Sequence, residues 1–262
     1  MLAKVISVQL VSLLGYDLLF SDVDVIWYKH PLEYFKGPHS PVKDFDVIFQ
    51  DDGSRTLRYG ACVFVCLFVC NVFTVSDGLI CPHNFAAPYS ANSGFYFVRH
   101  NDRTRHFLSS LLMRMDEILA SSSHQKPMVT LMTEHVTLFG LRAKVISKAQ
   151  DELPGGYHWN QKSGQFMHDL FDGKVDPYIF HMSWTSSKEN KLKYFRQMGE
   201  WYVQEACIEK EATQISGFAT NGGVATCCSA EPLISCFYRD KPSKIRCDDS
   251  PNIDKGRAPF WK

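Results

Sequence analysis

The chain has 262 residues, with 28 basic and 28 acidic side chains and a formal net charge of zero. That balance excludes the electrostatic footprint of a nucleic-acid binder or a polybasic membrane-surface protein, and a hydrophobic content of 45% excludes disorder as the main state. The nine cysteines are an odd number, so they do not all pair with one another. A chain this long hides roughly 70–75% of its unfolded surface and needs no staples to form a core. No stretch reaches the ~20 apolar residues of a membrane-crossing helix; the longest run, Ala61 to Phe73, is too short.

The N-terminal MLAKVISVQLVSLLG has the outline of a signal peptide, but Gln9 and Ser12 interrupt it and no small-x-small cleavage site follows. Val5, Val8, Val11/Ser12 and Leu14 recur at helical spacing instead, predicting a helix over 3–14 that Gly15 ends. Tyr16 to Phe20 then reads as a buried strand, followed by Asp22-Val23-Asp24. A second strand, Asp46 to Gln50, ends in Asp51-Asp52-Gly53. A third, Gly94 to Arg99, leaves a small-residue turn at 90–93. Residues 103–121 read as one amphipathic helix with Phe107, Leu111, Met115 and Ile118 on its apolar face. Pro127 in a first turn starts a helix that runs to Phe139 and stops at Gly140. Arg142 to Ser147 and Ile179 to Met182 are strands, and Ser186 to Gln204 is a long helix. Ser186 and Glu189 have capping-box spacing, and Leu192, Phe195, Met198 and Tyr202 line its apolar face. Strands alternating with helices imply an α/β layered fold. Beyond about Cys207 the chain turns irregular and rich in Gly, Ser, Cys and Pro.

The most informative local pattern is LLFSDVDVIW. Two carboxylates two apart at the end of an apolar strand can hold a divalent cation, and strand alternation would turn Asp22 and Asp24 to one side. A polar turn with one Asp capping it is the structural alternative. Nucleotide-sugar glycosyltransferases use such a pair to hold a metal on the donor diphosphate. Haloacid-dehalogenase-like phosphatases use the first Asp as nucleophile; there Ile26 stands where Thr or Val is usual, and Asp248-Asp249 could mimic the late acidic pair.

His181 follows at a strand end, and a neutral imidazole there could complete the shell of a metal on Asp22 and Asp24. A satisfied strand-end histidine is the structural alternative. The next helix start offers free N–H groups and a dipole end suited to a diphosphate, with Lys188 in or just before its first turn. Lys191 and Lys193 follow it; a solvated helix face also explains these lysines. Asn92 and Ser93 bring donors and acceptors for sugar hydroxyls, and Gly94 permits close backbone approach. An ordinary turn, with Asn at positive φ, explains the same residues.

Four stretches in order, GYDLLFSDVDVIWYKHPLEYF, DVIFQDDGS, YSANSGFYFVRHN and FHMSWTSSKENKLKYF, resemble the nucleotide-diphospho-sugar transferases of plants and algae. These are the cell-wall enzymes of glycosyltransferase family 77. The resemblance covers roughly residues 1–60 and 85–205. It implies a GT-A-like, Rossmann-related mixed sheet flanked by helices, Mn²⁺ or Mg²⁺ as cofactor, and retention of anomeric configuration. It also implies a nucleotide-sugar donor and a glycan or glycoprotein acceptor. By position, it makes Asp22, Asp24 and His181 metal ligands. Asn92, Ser93, Gly94, Trp184 and Lys188 fall to the donor, while Gln125, Asp52 and Glu134 are the polar candidates near the reacting sugar, with Asp51 beside them. The domain is expected over 1–205, with a Cys-rich extension over 206–262. Such enzymes work in the Golgi lumen as type II membrane proteins, with an anchor outside this chain.

Three features depart from the family pattern. The chain begins just before the Asp-x-Asp strand, so the nucleoside-binding half is expected to be missing, and an inactive binding relative is the corresponding alternative. Residues 55–84 have an alien composition and read as a translated retained intron or a mispredicted exon, with a lineage-specific insertion as the alternative. His124 stands before Gln125, where an acidic residue is usual. Cys207, Cys227, Cys228, Cys236 and Cys247 predict disulfides and an oxidising compartment; no Cys-x-x-Cys pair supports zinc.

Overall fold

A computed structural model of the chain describes residues 2–52, 90–147, 150–160, 166, 169–170, 173–184, 188–198, 200–204, 207, 227, 229, 236–237 and 245–246. These form two compact units: residues 1–157 with 176–181, and residues 158–175 with 182–262. The suspected insertion at 55–84 lies outside the described residues.

The first unit is built on a four-stranded mixed sheet. Its strands are β1 (Leu18–Ser21), β3 (Val47–Asp51), β4 (Ala91–Val98) and β5 (Ala143–Ile146), in the order β1-β4-β3-β5. β4 runs antiparallel to both β1 and β3, while β3 and β5 are parallel. A second ribbon pairs β2 (Val25–Trp27) antiparallel with β6 (Ile179–His181), setting Val25 opposite His181. β2 is too short for a period-2 pattern to reveal it in the sequence.

β4 is buried along its whole length because both sheet faces are covered. Tyr96 and Val98, with Val47 and Phe49, face a cluster closed by α1 (Leu2–Leu13), α3 (Asp102–Leu112), α4 (Met115–Ser121) and α5 (Gln125–Leu138). Phe95 and Phe97, with Ile48, face the other cluster under α2 (Pro31–Lys36). Phe35 stacks on Phe97 with ring centres 4.9 Å apart. The period-2 alternation of one strand thus feeds two cores.

Local chemistry accounts for several boundaries. Gly15 stops α1 at φ +89°, a conformation that a side chain rarely adopts. Asn101 caps α3: its side chain accepts from Thr104 N, and Thr104 Oγ1 accepts from Asn101 N, each at 3.0 Å. The fully buried Asp46 ties three elements together. It accepts from Arg103 (2.7 Å), Asn101 (3.0 Å) and the Arg142 guanidinium (3.0 Å) and backbone N–H (2.9 Å).

Some expectations need correction. The single helix over 103–121 is two, α3 and α4, broken at Met113-Arg114. Met113 and Met115 point to solvent, while Ile118 is carried back into the core. No Gly or Pro marks that break. Residues 91–93 are not a turn but the beginning of β4. β1 is only half-buried. Asp22 and Asp24 are not on a strand: they flank the exposed Val23 in the turn between β1 and β2. They share a side because of that turn, not because of strand alternation.

In the second unit, α7 (Lys188–Met198) ends at Met198, six residues before the expected Gln204. Tyr202 is therefore off the helix. The Ser186 capping position lies outside the described residues. α6 (Gly156–Asn160) straddles the boundary between the units. Within the second unit its Trp159 donates to Ser183 O at 2.8 Å and packs on Tyr194, ring centres 5.0 Å apart. Cys207 and Cys227 form a disulfide. β7 (Cys236–Phe237) pairs in parallel with β8 (Ile245–Arg246).

Candidate active site

The site of the first unit forms where β4 changes register. Phe49 pairs with Tyr96, but the next residue, Gln50, pairs with Asn92. Ser93, Gly94 and Phe95 are the extra residues between the two registers, and a bulge of this kind re-aims side chains beside functional sites. Asp22 N donates to Gly94 O at 2.7 Å, so the Asp22 turn is bound directly to the bulge.

Asp22, Asp24 and His181 converge here. Each offers one ligand atom, and all these atoms lie within 4.8 Å of one another. His181 Nε2 is 3.5 Å from Asp24 Oδ1. Asp24 and His181 are buried, and Asp22 is partly exposed. An octahedral shell with bonds of about 2.1 Å sets opposite ligands about 4.2 Å apart. The three ligand atoms, all within 4.8 Å of one another, are close to that spacing. Two carboxylate oxygens and an imidazole nitrogen suit a hard to borderline divalent cation.

Gly94 makes the convergence sterically feasible. A Cβ there would stand 2.8 Å from Asp22 Oδ2, 2.8 Å from His181 Cε1 and 3.0 Å from Asn92 Oδ1. The space a side chain would fill is the space in which the ligand groups meet. Lys4 of α1 reaches Asp22 Oδ1 as an ion pair, and its ammonium also lies over the Phe20 ring, 5.6 Å from its centre. Tyr96 lies beneath the site, stacked between Phe20 and Phe49. Burial, then the charge of Asp22, pushes its phenol well above the usual range.

Beside these groups runs a polar network. Asp52 accepts from Asn92 Nδ2 at 3.0 Å and from Gln125 Nε2 at 3.2 Å. Gln125 Oε1 in turn accepts from Ser93 N (3.0 Å) and Ser93 Oγ (3.1 Å), while Asn92 Oδ1 accepts from Gly94 N at 2.7 Å. The structure therefore joins Asn92, Ser93, Gly94, Asp52 and Gln125 in one network beside the two aspartates and His181. Gln125 is the first residue of α5, so the start of that helix is pinned to the bulge. His124, just before it, is buried. Burial and then the Lys4 charge hold its imidazole below the ordinary value, so a neutral ring stands where an acid is usual.

Glu134 is not part of this group. It lies nine residues beyond Gln125 on α5, a rise of about 14 Å, and pairs with Arg114 at 2.9 Å. It is set aside as a candidate for that reason. Trp184 and Lys188 belong to the second unit. Lys188 is the exposed first residue of α7, and Trp184 has a left-handed backbone with φ +72°. Sequence reasoning passed over Gln50, which holds the His181 ring, and Lys4. Gln50 stood inside a quoted motif, but nothing short of the fold links it to His181, 131 residues away.

The match to a family model decides the identity. The model of the nucleotide-diphospho-sugar transferases matches residues 1–195. The chain belongs to that family. No curated protein and no solved structure gives a significant match. The mixed sheet flanked by helices agrees with the GT-A-like domain expected of such a transferase. As a nucleotide-diphospho-sugar transferase the chain is an enzyme of the glycosyltransferase type, acting between a nucleotide-sugar donor and an acceptor.

Proposed function

We propose that this transferase is metal-dependent, with Mn²⁺ or Mg²⁺ held by Asp22, Asp24 and His181, and that it transfers its sugar with retention to a glycan or glycoprotein. The observation that carries the proposal is the meeting of those three ligand groups within 4.8 Å at a bulge where Gly94 leaves them room. A bound divalent ion would stabilise the negative charge that develops on the departing nucleoside diphosphate.

The chain's own groups do the rest. Asp22 and Asp24 supply anionic oxygens, and His181 a neutral nitrogen. Asn92 and Ser93 present hydrogen-bonding groups to the donor sugar. Asp52, held by two amide donors, places a carboxyl group beside it, able to stabilise positive charge on an oxocarbenium-like transition state. Lys4, paired with Asp22, supplies a further positive charge at the site.

We also propose work in the Golgi lumen on cell-wall polymers, as in glycosyltransferase family 77. The resemblance of the four motifs supports this, and the Cys207–Cys227 bond supports an oxidising compartment.

The test is calorimetric titration with Mn²⁺, alone and with a panel of nucleoside diphosphates. Saturable Mn²⁺ binding by the wild type, lost in Asp24→Asn and His181→Ala, is the expected result, with nucleoside diphosphate bound only when Mn²⁺ is present. Wild-type protein that takes up no Mn²⁺ at millimolar concentration sinks the metal reading.

A further inference from the structure

Gln50, at the end of β3, is fully buried, and both ends of its amide are committed. Its Nε2 donates to Leu153 O and to Pro154 O, each at 2.9 Å. A carbonyl oxygen has no hydrogen to give, so the amide cannot be turned over: nitrogen faces the two carbonyls and oxygen faces away from them. That oxygen, Oε1, lies 2.6 Å from His181 Nδ1. An amide oxygen only accepts, so the hydrogen between them is on Nδ1. In the neutral ring Nε2 is then the atom with the lone pair, and its neighbour at 3.5 Å is a carboxylate oxygen of Asp24. Two electron-rich atoms turned toward each other in a buried site favour a positive charge between them, either a metal cation or a proton on the ring. The backbone fixes the ring from its other end, because His181 N donates to Pro154 O at 3.0 Å. One carbonyl thus positions both the histidine and the glutamine that orients it.

We infer that Gln50 is a positioning residue. It locks His181 in the tautomer with hydrogen on Nδ1 and aims Nε2 at Asp24 and Asp22. Partners of this kind, one step removed from the ligand, hold a ligating imidazole to one orientation. The inference deepens the metal reading and rests on it for its purpose, but the tautomer itself needs no metal.

Long-range ¹H–¹⁵N correlation NMR on metal-free protein, at a pH above the imidazole range, reads the tautomer. His181→Gln provides the assignment. Hydrogen on Nδ1 is expected, and hydrogen on Nε2 overturns the inference. Mn²⁺ titration followed by electron paramagnetic resonance is the second readout. Gln50→Met keeps the shape and removes the acceptor together with the donors to Leu153 O and Pro154 O; it should weaken Mn²⁺ binding about 10–100-fold. Gln50→Glu, which as a neutral acid keeps one donor and one acceptor, should restore most of the affinity. A Gln50→Met protein that binds Mn²⁺ as the wild type does refutes the positioning role, whatever its melting temperature. If Gln50→Met does not fold, the wild-type spectrum still decides. A wild type with hydrogen on Nδ1 that binds no Mn²⁺ refutes the metal reading and leaves the Gln50 assignment standing.

Discussion

Gly94→Ala isolates the steric requirement of the site. The added methyl meets Asp22 Oδ2 and His181 Cε1 at 2.8 Å and Asn92 Oδ1 at 3.0 Å. Comfortable separations begin near 3.5 Å, so each neighbour must withdraw by roughly 0.5–0.7 Å. Their freedom to do so differs. Asp22 is partly exposed and can swing. His181 is pinned through Nδ1 and its backbone N–H, and Asn92 Oδ1 is tied to Gly94 N. The backbone of Gly94 is not left-handed, so alanine brings no backbone strain and gains about 0.4–1 kcal/mol through the unfolded chain. Overpacking costs about 1–3 kcal/mol. The net loss of about 1–2 kcal/mol corresponds to a drop of roughly 2–8 °C in melting temperature. Metal affinity should fall as well, by at least about tenfold, because the displaced atoms are the ligand groups themselves. Differential scanning fluorimetry and Mn²⁺ calorimetry on the same preparation separate the two effects. A folded Gly94→Ala protein with wild-type Mn²⁺ affinity refutes the reasoning.

Three further substitutions test the frame around the site. In Asp46, burial pushes the carboxyl up, but hydrogen bonds from Arg103 and Arg142 outweigh it and hold it well below the usual carboxylate range. Asp46→Asn should cost about 3 kcal/mol in urea denaturation, the low end for a broken buried pair because both arginines are part-exposed. A depressed folded pKa stabilises above the unfolded value and is lost as pH falls through the folded one, so the gap between wild type and variant should shrink below about pH 4. A gap that stays constant down to pH 2 would disprove it. Gln125→Leu removes the acceptor of Ser93 N and Oγ and one donor of Asp52, and should cost about 1–3 kcal/mol by thermal denaturation. An unchanged melting temperature would show the network to be slack. Asn101→Ala loses a helix cap and a hydrogen bond to Asp46, for a loss of about 1–2 kcal/mol by denaturant titration. A loss below about 0.5 kcal/mol would argue that water replaces the cap.

Much of the local structure was legible because it rests on near neighbours. The period of Val5, Val8 and Ser12 marks α1, and Gly15 marks its end. The apolar runs around Ile48 and Phe97 mark two strands. The break at Met113 was hidden because the apolar spacing continues through it. The end of α7 at Met198 was hidden for a similar reason: aromatic residues continue at near-helical spacing into Trp201 and Tyr202.

The candidate site divides along the same line. The sequence by itself determined the chemistry on offer: an Asp-x-Asp pair between apolar blocks, an Asn-Ser-Gly entry to a strand, and a histidine at the end of another. Residue type and short spacing carry that information. Only the tertiary structure decided which of these meet. The pairing of β2 with β6 brings His181 beside Asp24. The bulge in β4 brings Gly94 against Asp22. The same fold assigns Gln125 to the site and Glu134, on the same helix, to the surface. Contacts across 40 to 131 residues depend on register and on which sheet face is covered, and no local pattern encodes either.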